Sequence, residues 1–154
     1  MITTDILIIG AGPTGLFTVF EAGLLQLKCH LVDALPQPGG QLAELYPKKP
    51  IYDIPGYPEV LAGELVDNLM KQIEPFQPGF TLGERAETLE RTEDDFFIVT
   101  TNKGTKHKAK VVAIAGGPLP VHSIGCIGPS KYFVQARSID WIQVSCPVQK
   151  YLFQ

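Results

Sequence analysis

Apolar positions fall into two kinds of stretch in this chain, short unbroken runs and longer segments with helical spacing. Ile6-Leu7-Ile8-Ile9 is unbroken, which predicts a central parallel strand covered on both faces. From Pro13 onward, Leu16, Phe17, Val19, Phe20, Leu24 and Leu27 keep largely to one helical face, so a helix follows. Cys29 to Val32 reads as a second strand, ended by Asp33. A further helix is expected from Ala62 to about Pro75: Leu65, Val66, Leu69, Met70 and Ile73 form its core stripe, with Met70 as filler, and Glu64, Asp67, Lys71 and Gln72 lie elsewhere. Phe80-Thr81-Leu82 predicts another parallel strand. Ala86 to Thr92, Phe96 to Thr101 and Thr105 to Lys110 follow. Glu93-Asp94-Asp95 and Asn102-Lys103-Gly104 supply turns between them, so an antiparallel meander is expected. Val111 to Ala115 is again fully apolar and reads as a return to the parallel sheet, closed by Gly116-Gly117.

The stretch from Ala34 to Val60 breaks this rhythm. Pro36, Pro38, Pro47, Pro50, Pro55 and Pro58 limit regular structure there, and Gly39-Gly40 admits unusual backbone angles. Gln41 to Glu44 suits one helical turn, and Ile51 to Ile54 a short extended piece. A connection this long inside one domain is often functional.

Chemistry concentrates where the first strand meets the first helix. Gly10, Gly12 and Gly15 supply G-x-G-x-x-G there, with Pro13 and Thr14 opening the helix. Pro13 lacks an N–H where none is needed. The spacing suits a tight turn at Gly10, close approach of a diphosphate at Gly12, and helix–strand packing at Gly15. The helix start then offers free N–H groups and a positive dipole end. Asp33 lies 33 − 12 = 21 residues after the middle glycine, as suits a carboxylate that accepts a ribose hydroxyl. It would repel a 2′-phosphate, so FAD or NAD fits better than NADP. The bland alternative is a glycine-rich turn beside a surface aspartate.

Composition narrows the class. The 154 residues suffice for one domain with a real core; 45% are hydrophobic and 19% charged, as in a soluble globular protein. A net charge of −3 gives no footprint for nucleic acid. No stretch is long and apolar enough to span a bilayer, and the start lacks an export signal, so a cytoplasmic site is expected. Cys29, Cys126 and Cys146 contain no C-x-x-C pair and read as reduced thiols, not as a metal centre. His30 reads as a satisfied core or edge histidine. His107, among Lys106, Lys108 and Lys110, is expected to be exposed in a small basic cluster. No acid–base or nucleophilic catalytic residue stands out, and His122 points to none.

Gly10-Ala11-Gly12-Pro13-Thr14-Gly15, Asp33, Pro38-Gly39-Gly40-Gln41-Leu42, Tyr46-Pro47, Ile51-Tyr52-Asp53-Ile54-Pro55-Gly56 and Val111 to Gly117 resemble the thioredoxin-reductase-like ferredoxin–NADP reductases of the FAD-dependent pyridine nucleotide-disulfide oxidoreductase superfamily. The resemblance implies an α/β, Rossmann-like FAD-binding three-layer fold, with a parallel sheet and an inserted antiparallel β-meander. It implies that Gly12 and its neighbours hold the FAD diphosphate and Asp33 the adenosine ribose. Gln41 and Tyr46 would lie beside the flavin, and the backbone at Ala86 beside the adenine. For Gln41 the alternative is a loop-bracing amide, and for Tyr46 a ring packed on proline. The family's NADPH is its electron donor and a ferredoxin-like carrier its protein partner, and relatives suggest a homodimer. The missing cysteine pair favours the ferredoxin-reductase branch over a dithiol relay.

The resemblance covers residues 1–117, read as the N-terminal portion of an FAD-binding domain. Residues 118–154 are expected to be a tail foreign to the family, as after a frameshift or an altered gene end. They hold three Lys/Arg and one Asp, the only tryptophan, Trp141, and two cysteines. Gly125-Cys126-Ile127-Gly128 has the wrong spacing for a second nucleotide motif, so the family's NADPH domain is expected to be absent. Tyr132-Phe133-Val134 and Trp141 to Val144 could pair as strands. Three functions follow: an FAD-dependent oxidoreductase, which the resemblance implies as ancestry; a nucleotide-binding module without turnover of its own, the behaviour expected of these 154 residues alone; and, third, an NAD-binding subunit.

Overall fold

The computed structural model describes residues 1–117 and, beyond them, the backbone of two strands, 133–136 and 142–145. Trp141, His122, Cys126, Cys146 and the Gly125–Gly128 stretch lie outside the described residues.

Ile2–Ile9 (β1) is the central strand. Pro13–Leu24 (α1) leads to Cys29–Asp33 (β2), which lies parallel to β1, Ile6 opposite Cys29 and Ile9 opposite Val32. The long connection contributes Gly40–Glu44 (α2) and two short strands, Pro50–Ile51 (β3) and Val60–Leu61 (β4), which pair with each other. Ala62–Ile73 (α3) follows and gives way at Pro75 to a 3-10 turn, Glu74–Phe76. Gly79–Leu82 (β5) then pairs in parallel with β2. Ala86–Arg91 (β6) and Phe97–Thr101 (β7) form the antiparallel hairpin expected from the turn residues.

One strand expectation needs correction. Thr105 to Lys110 and Val111 to Ala115 are not two strands but one, Lys106–Ile114 (β8). Its first half pairs antiparallel with β7, while nearly its whole length pairs in parallel with β1, from Ile2 opposite His107 to Ile9 opposite Ile114. The alternation of buried positions changes phase midway. His107 and Ala109 are buried, Lys110 and Val111 are exposed, and Val112 onward is buried again. That shift made one strand look like two. Phe133–Ala136 (β9) continues the sheet in parallel from Ala113 and Ile114, and Ile142–Ser145 (β10) pairs antiparallel with β9.

The main sheet therefore runs β10-β9-β8-β1-β2-β5, with the β6–β7 hairpin attached through β8. Each face has its own core. Ile8, Leu16, Val19, Leu31, Val66 and Ile73 pack the sheet against α1 and α3. Leu7, Val32, Phe97, Val99, Ala109 and Val112 pack the other face against the antiparallel layer. The fold is three-layered α/β of the Rossmann-like kind. Chain crossovers leave β1 toward β2 on one side and return at β8 on the other, so the crevice beyond the end of β1 is the switch point where such sheets bind ligands. No helix among the described residues is long and apolar enough to cross a membrane.

Candidate functional site

The glycine loop is held from both flanks. Gly10 N–H donates to the Val32 carbonyl at 2.8 Å, and Ala115 N–H donates to that of Ile9 at 2.7 Å. Gly10 has φ +112°, and a Cβ there would stand 2.3 Å from the Ala115 carbonyl oxygen. A Cβ on Gly15 would come within 2.0 Å of the Gly10 carbonyl oxygen. Both positions are closed to any side chain by backbone.

Gly12 differs. Its φ of −75° suits any residue, and a Cβ there would meet nothing within 4 Å. The fold does not need glycine at this position, yet space is left in front of it. Gly12 also caps α1, and no side chain closes the helix start. The first intrahelical bond is Leu16 N–H to the Gly12 carbonyl, so the N–H groups of Thr14 and Gly15 lack a helical acceptor. Open space, unclaimed donors and the positive end of a 12-residue helix together fit a diphosphate.

Asp33 is bound into this arrangement. Its Oδ2 accepts the Ala11 amide at 2.6 Å, and its Oδ1 accepts the Leu35 amide at 2.9 Å. Each carboxylate oxygen retains a lone-pair site, so a ribose hydroxyl remains compatible with both bonds.

The sequence pattern missed how the long connection meets the loop. Gly39 N–H donates to the Ala11 carbonyl at 2.7 Å, and a Cβ on Gly40 would lie 3.1 Å from the Gly12 Cα. Both glycines have positive φ. The start of α2 thus docks on the loop, and this places Gln41 next to it. The side chain of Gln41 is exposed and makes no hydrogen bond among the described residues. Tyr46 is 51% exposed, with Lys49 Nζ 5.5 Å from its ring centre. The Gly-Gly pair in the sequence was the available signal for this docking.

Ala86 opens β6 opposite Thr101, at a bulge. It reaches the Asp33 end of the sheet through the preceding residues: Gly83 N–H donates to the Leu35 carbonyl and Glu84 N–H to that of Asp33. The Thr101 hydroxyl, at 2.6 Å, and then Thr105 hold the Glu84 carboxyl below the usual carboxylate range.

His107 corrects a second expectation. It is fully buried, not exposed, because strand alternation turns Lys106 and Lys110 outward and His107 inward. His30 is buried and hydrogen-bonded, as expected. Cys29 is a free thiol whose pKa burial pushes up to about 11. No cluster of three metal-ligating side chains exists among the described residues.

No family model matches the chain. It is 80% identical over 117 residues to ferredoxin–NADP reductase 1 of Christiangramia forsetii, which is 76% of this chain and 33% of that protein. It is 72% identical over 135 residues to the ferredoxin–NADP reductase of Flavobacterium johnsoniae, 88% of this chain and 37% of that protein. At least 135 − 117 = 18 of those aligned residues fall in 118–154. The chain thus spans about a third of the length of these curated relatives. Among solved structures, the thioredoxin reductase of Streptococcus pyogenes superposes with a TM-score of 0.65 at 28% identity, over 75% of this chain and 35% of that one.

Proposed function

Since the chain is similar in sequence to the ferredoxin–NADP reductases and in fold to the thioredoxin reductases, we propose that it is an FAD-binding flavoprotein oxidoreductase of the ferredoxin–NADP reductase type. The electron donor would be NADPH, held by a domain that the family carries outside residues 1–117, and the acceptor a ferredoxin-like protein. The observation that carries this reading is the open space at Gly12, at the uncapped start of α1. Residues 1–117 act as the first portion of the FAD-binding domain, and 118–154 as a tail of separate origin whose β9 strand extends the same sheet.

Gly10 and Gly15 shape the loop. Gly12, Pro13 and Thr14 present its open face and free amides to the diphosphate. Asp33 takes the adenosine ribose, Ala86 lines the adenine side through its backbone, and Gln41 and Tyr46 flank the flavin. Bound FAD supplies the redox chemistry, accepting hydride and releasing electrons singly or in pairs. The protein's own share is to hold, orient and shield it, so no side chain is assigned a proton-transfer role. The protein is cytoplasmic and its assembly a homodimer.

Anaerobic titration of the FAD-loaded chain with NADPH, followed by an oxidised ferredoxin, tests this. Bleaching of the flavin band by NADPH and its recovery with ferredoxin are expected when the family's NADPH domain accompanies the chain. A chain that binds FAD but is never reduced would be a nucleotide-binding module instead. One that binds NAD and not FAD would be an NAD-binding subunit.

A further inference from the structure

The buried polar side chains among the described residues include two histidines that share one hydroxyl. His30 on β2 places Nε2 2.8 Å from Thr81 Oγ1 on β5, and the same oxygen lies 2.9 Å from His107 Nε2 on β8. The ring centres are 5.0 Å apart. His107 is fully enclosed, whereas His30 keeps 9% of its surface open.

A threonine hydroxyl has one proton to give and lone pairs with which to accept. It donates to one ring, and the other ring must donate to it, so the two imidazoles stand in opposite tautomers. The direction follows from His107 Nδ1, which is sealed off without a hydrogen-bond partner among the described residues. An orphaned buried N–H is the state proteins tolerate least. Nδ1 is therefore the bare nitrogen of His107, and its Nε2–H donates to Thr81. Thr81 in turn donates to His30 Nε2, which leaves the His30 proton on Nδ1. Gly79 makes room for that side of the ring: a Cβ there would stand 2.1 Å from His30 Nδ1.

An added proton has no good place. On His30 it goes to Nε2 and confronts the Thr81 O–H. On His107 it goes to Nδ1, which makes no well-formed hydrogen bond among the described residues, and the Val99 backbone nearby favours the charge less than burial opposes it. The groups facing the pair do not reverse this. Burial is the largest influence on both rings and disfavours their charged forms. His107 also opposes a charge on His30, and the chain's amino terminus on β1 opposes one on His107. Glu84 after β5 and the Val99 backbone on β7 act the other way on His107, more weakly than burial.

The three residues also join distinct parts of the fold. His30 is on the strand that ends in Asp33, and Thr81 pairs with Val32 on that strand. His107 lies in the part of β8 that pairs with β7. We propose that the His30–Thr81–His107 chain is a proton-sensitive latch: it positions the antiparallel layer against the strand carrying Asp33, and its release in mild acid loosens the adenosine end of the cofactor site. Only the last clause rests on the FAD reading.

Nitrogen-15 spectra of the imidazoles in the full chain read the tautomers directly, and amide exchange across β6 and β7 reads the latch. At neutral pH, two uncharged rings are expected, His107 protonated at Nε2 and His30 at Nδ1. On acidification, opening of β6 and β7, corrected for intrinsic exchange, is expected to rise about tenfold per pH unit, the slope for one proton taken up. Thr81→Val should raise exchange already at neutral pH, and Thr81→Ser, which keeps the hydroxyl, should restore the wild-type profile. Matching tautomers, the reverse assignment, a charged ring at neutral pH, or exchange as insensitive to acid as that of β1 would overturn the latch. Equal FAD retention by wild type and Thr81→Val throughout the titration would overturn the cofactor clause alone. A wild-type chain that takes up no FAD at any pH would overturn the proposed function and leave the latch standing.

Discussion

The Asp33 carboxylate receives the Ala11 amide at 2.6 Å, joining residues 22 positions apart in the chain. The acid read from the sequence as a ribose grip therefore also sets the shape of the glycine loop. Its second oxygen secures the Leu35 amide as the chain leaves β2. Hydrogen bonds to a charged acceptor are among the stronger kinds, and Ala11 is fully buried.

Replacing Asp33 should therefore damage loop and ligand together. Asp33→Ala leaves the Ala11 amide unpaired and is expected to cost about 2–3 kcal/mol. Asp33→Asn keeps one carbonyl acceptor and should cost less than half of that. Urea denaturation measures the stability, and FAD titration should show weakened binding in both variants. Stability unchanged in Asp33→Ala would mean that the carboxylate does not brace the loop.

The glycines separate folding from binding. Gly12→Ala places a methyl group in open space at an ordinary φ, so stability should hold or rise by about 0.4–1 kcal/mol while FAD affinity falls. Gly15→Ala drives a Cβ into the Gly10 carbonyl and should destabilise the fold itself. Thermal melts beside flavin titrations distinguish the two. If Gly12→Ala binds FAD as tightly as wild type, the open space is not the cofactor's.

Much of this was legible because one-dimensional pattern and three-dimensional role coincide at the first strand, loop and helix. The unbroken run Ile6 to Ile9, the three glycines and the stripe from Leu16 to Val19 each have one structural solution. The sequence was opaque where a residue's role depends on a distant partner. His107 sits among lysines, and local charge suggested exposure; its burial is set by β1, β5 and β7, which no local window contains. The continuity of β8 was hidden by the exposed Lys110-Val111 step. For the docking of Gly39 and Gly40 on the loop, the Gly-Gly pair marked unusual backbone but not its partner, because the contact joins segments far apart in the chain.

Acid should destabilise the protein above the range where carboxylates titrate. Burial pushes His30 down from 6.5 to about 4, so the unfolded chain binds a proton there that the fold excludes. The stability tied to its neutral form is complete above the unfolded pKa and is lost as pH falls from about 6.5 toward 4. The loss is on the order of 3 kcal/mol at most. Asp5 and Glu84, both held below their ordinary values, lose their contributions only at lower pH. Urea midpoints that stay level across the histidine window would contradict this.

Cys29 should resist modification. Its thiol is buried and raised to about 11, so almost no thiolate exists at neutral pH. Peptide mapping after brief treatment with iodoacetamide should find Cys29 unmodified in the folded chain and modified in urea. Rapid labelling without denaturant would show that the first core is open.

The central claim, that the start of α1 cradles the FAD diphosphate, is tested most directly by the visible spectrum of the chain purified without added cofactor. That spectrum is to be followed by FAD titration of stripped wild type and Gly12→Val. The structure predicts a flavin band that copurifies with the wild type, rebinding after stripping, and loss of binding in a Gly12→Val variant that remains folded. A colourless wild type that takes up no FAD, or a Gly12→Val variant that binds it equally well, would contradict the account.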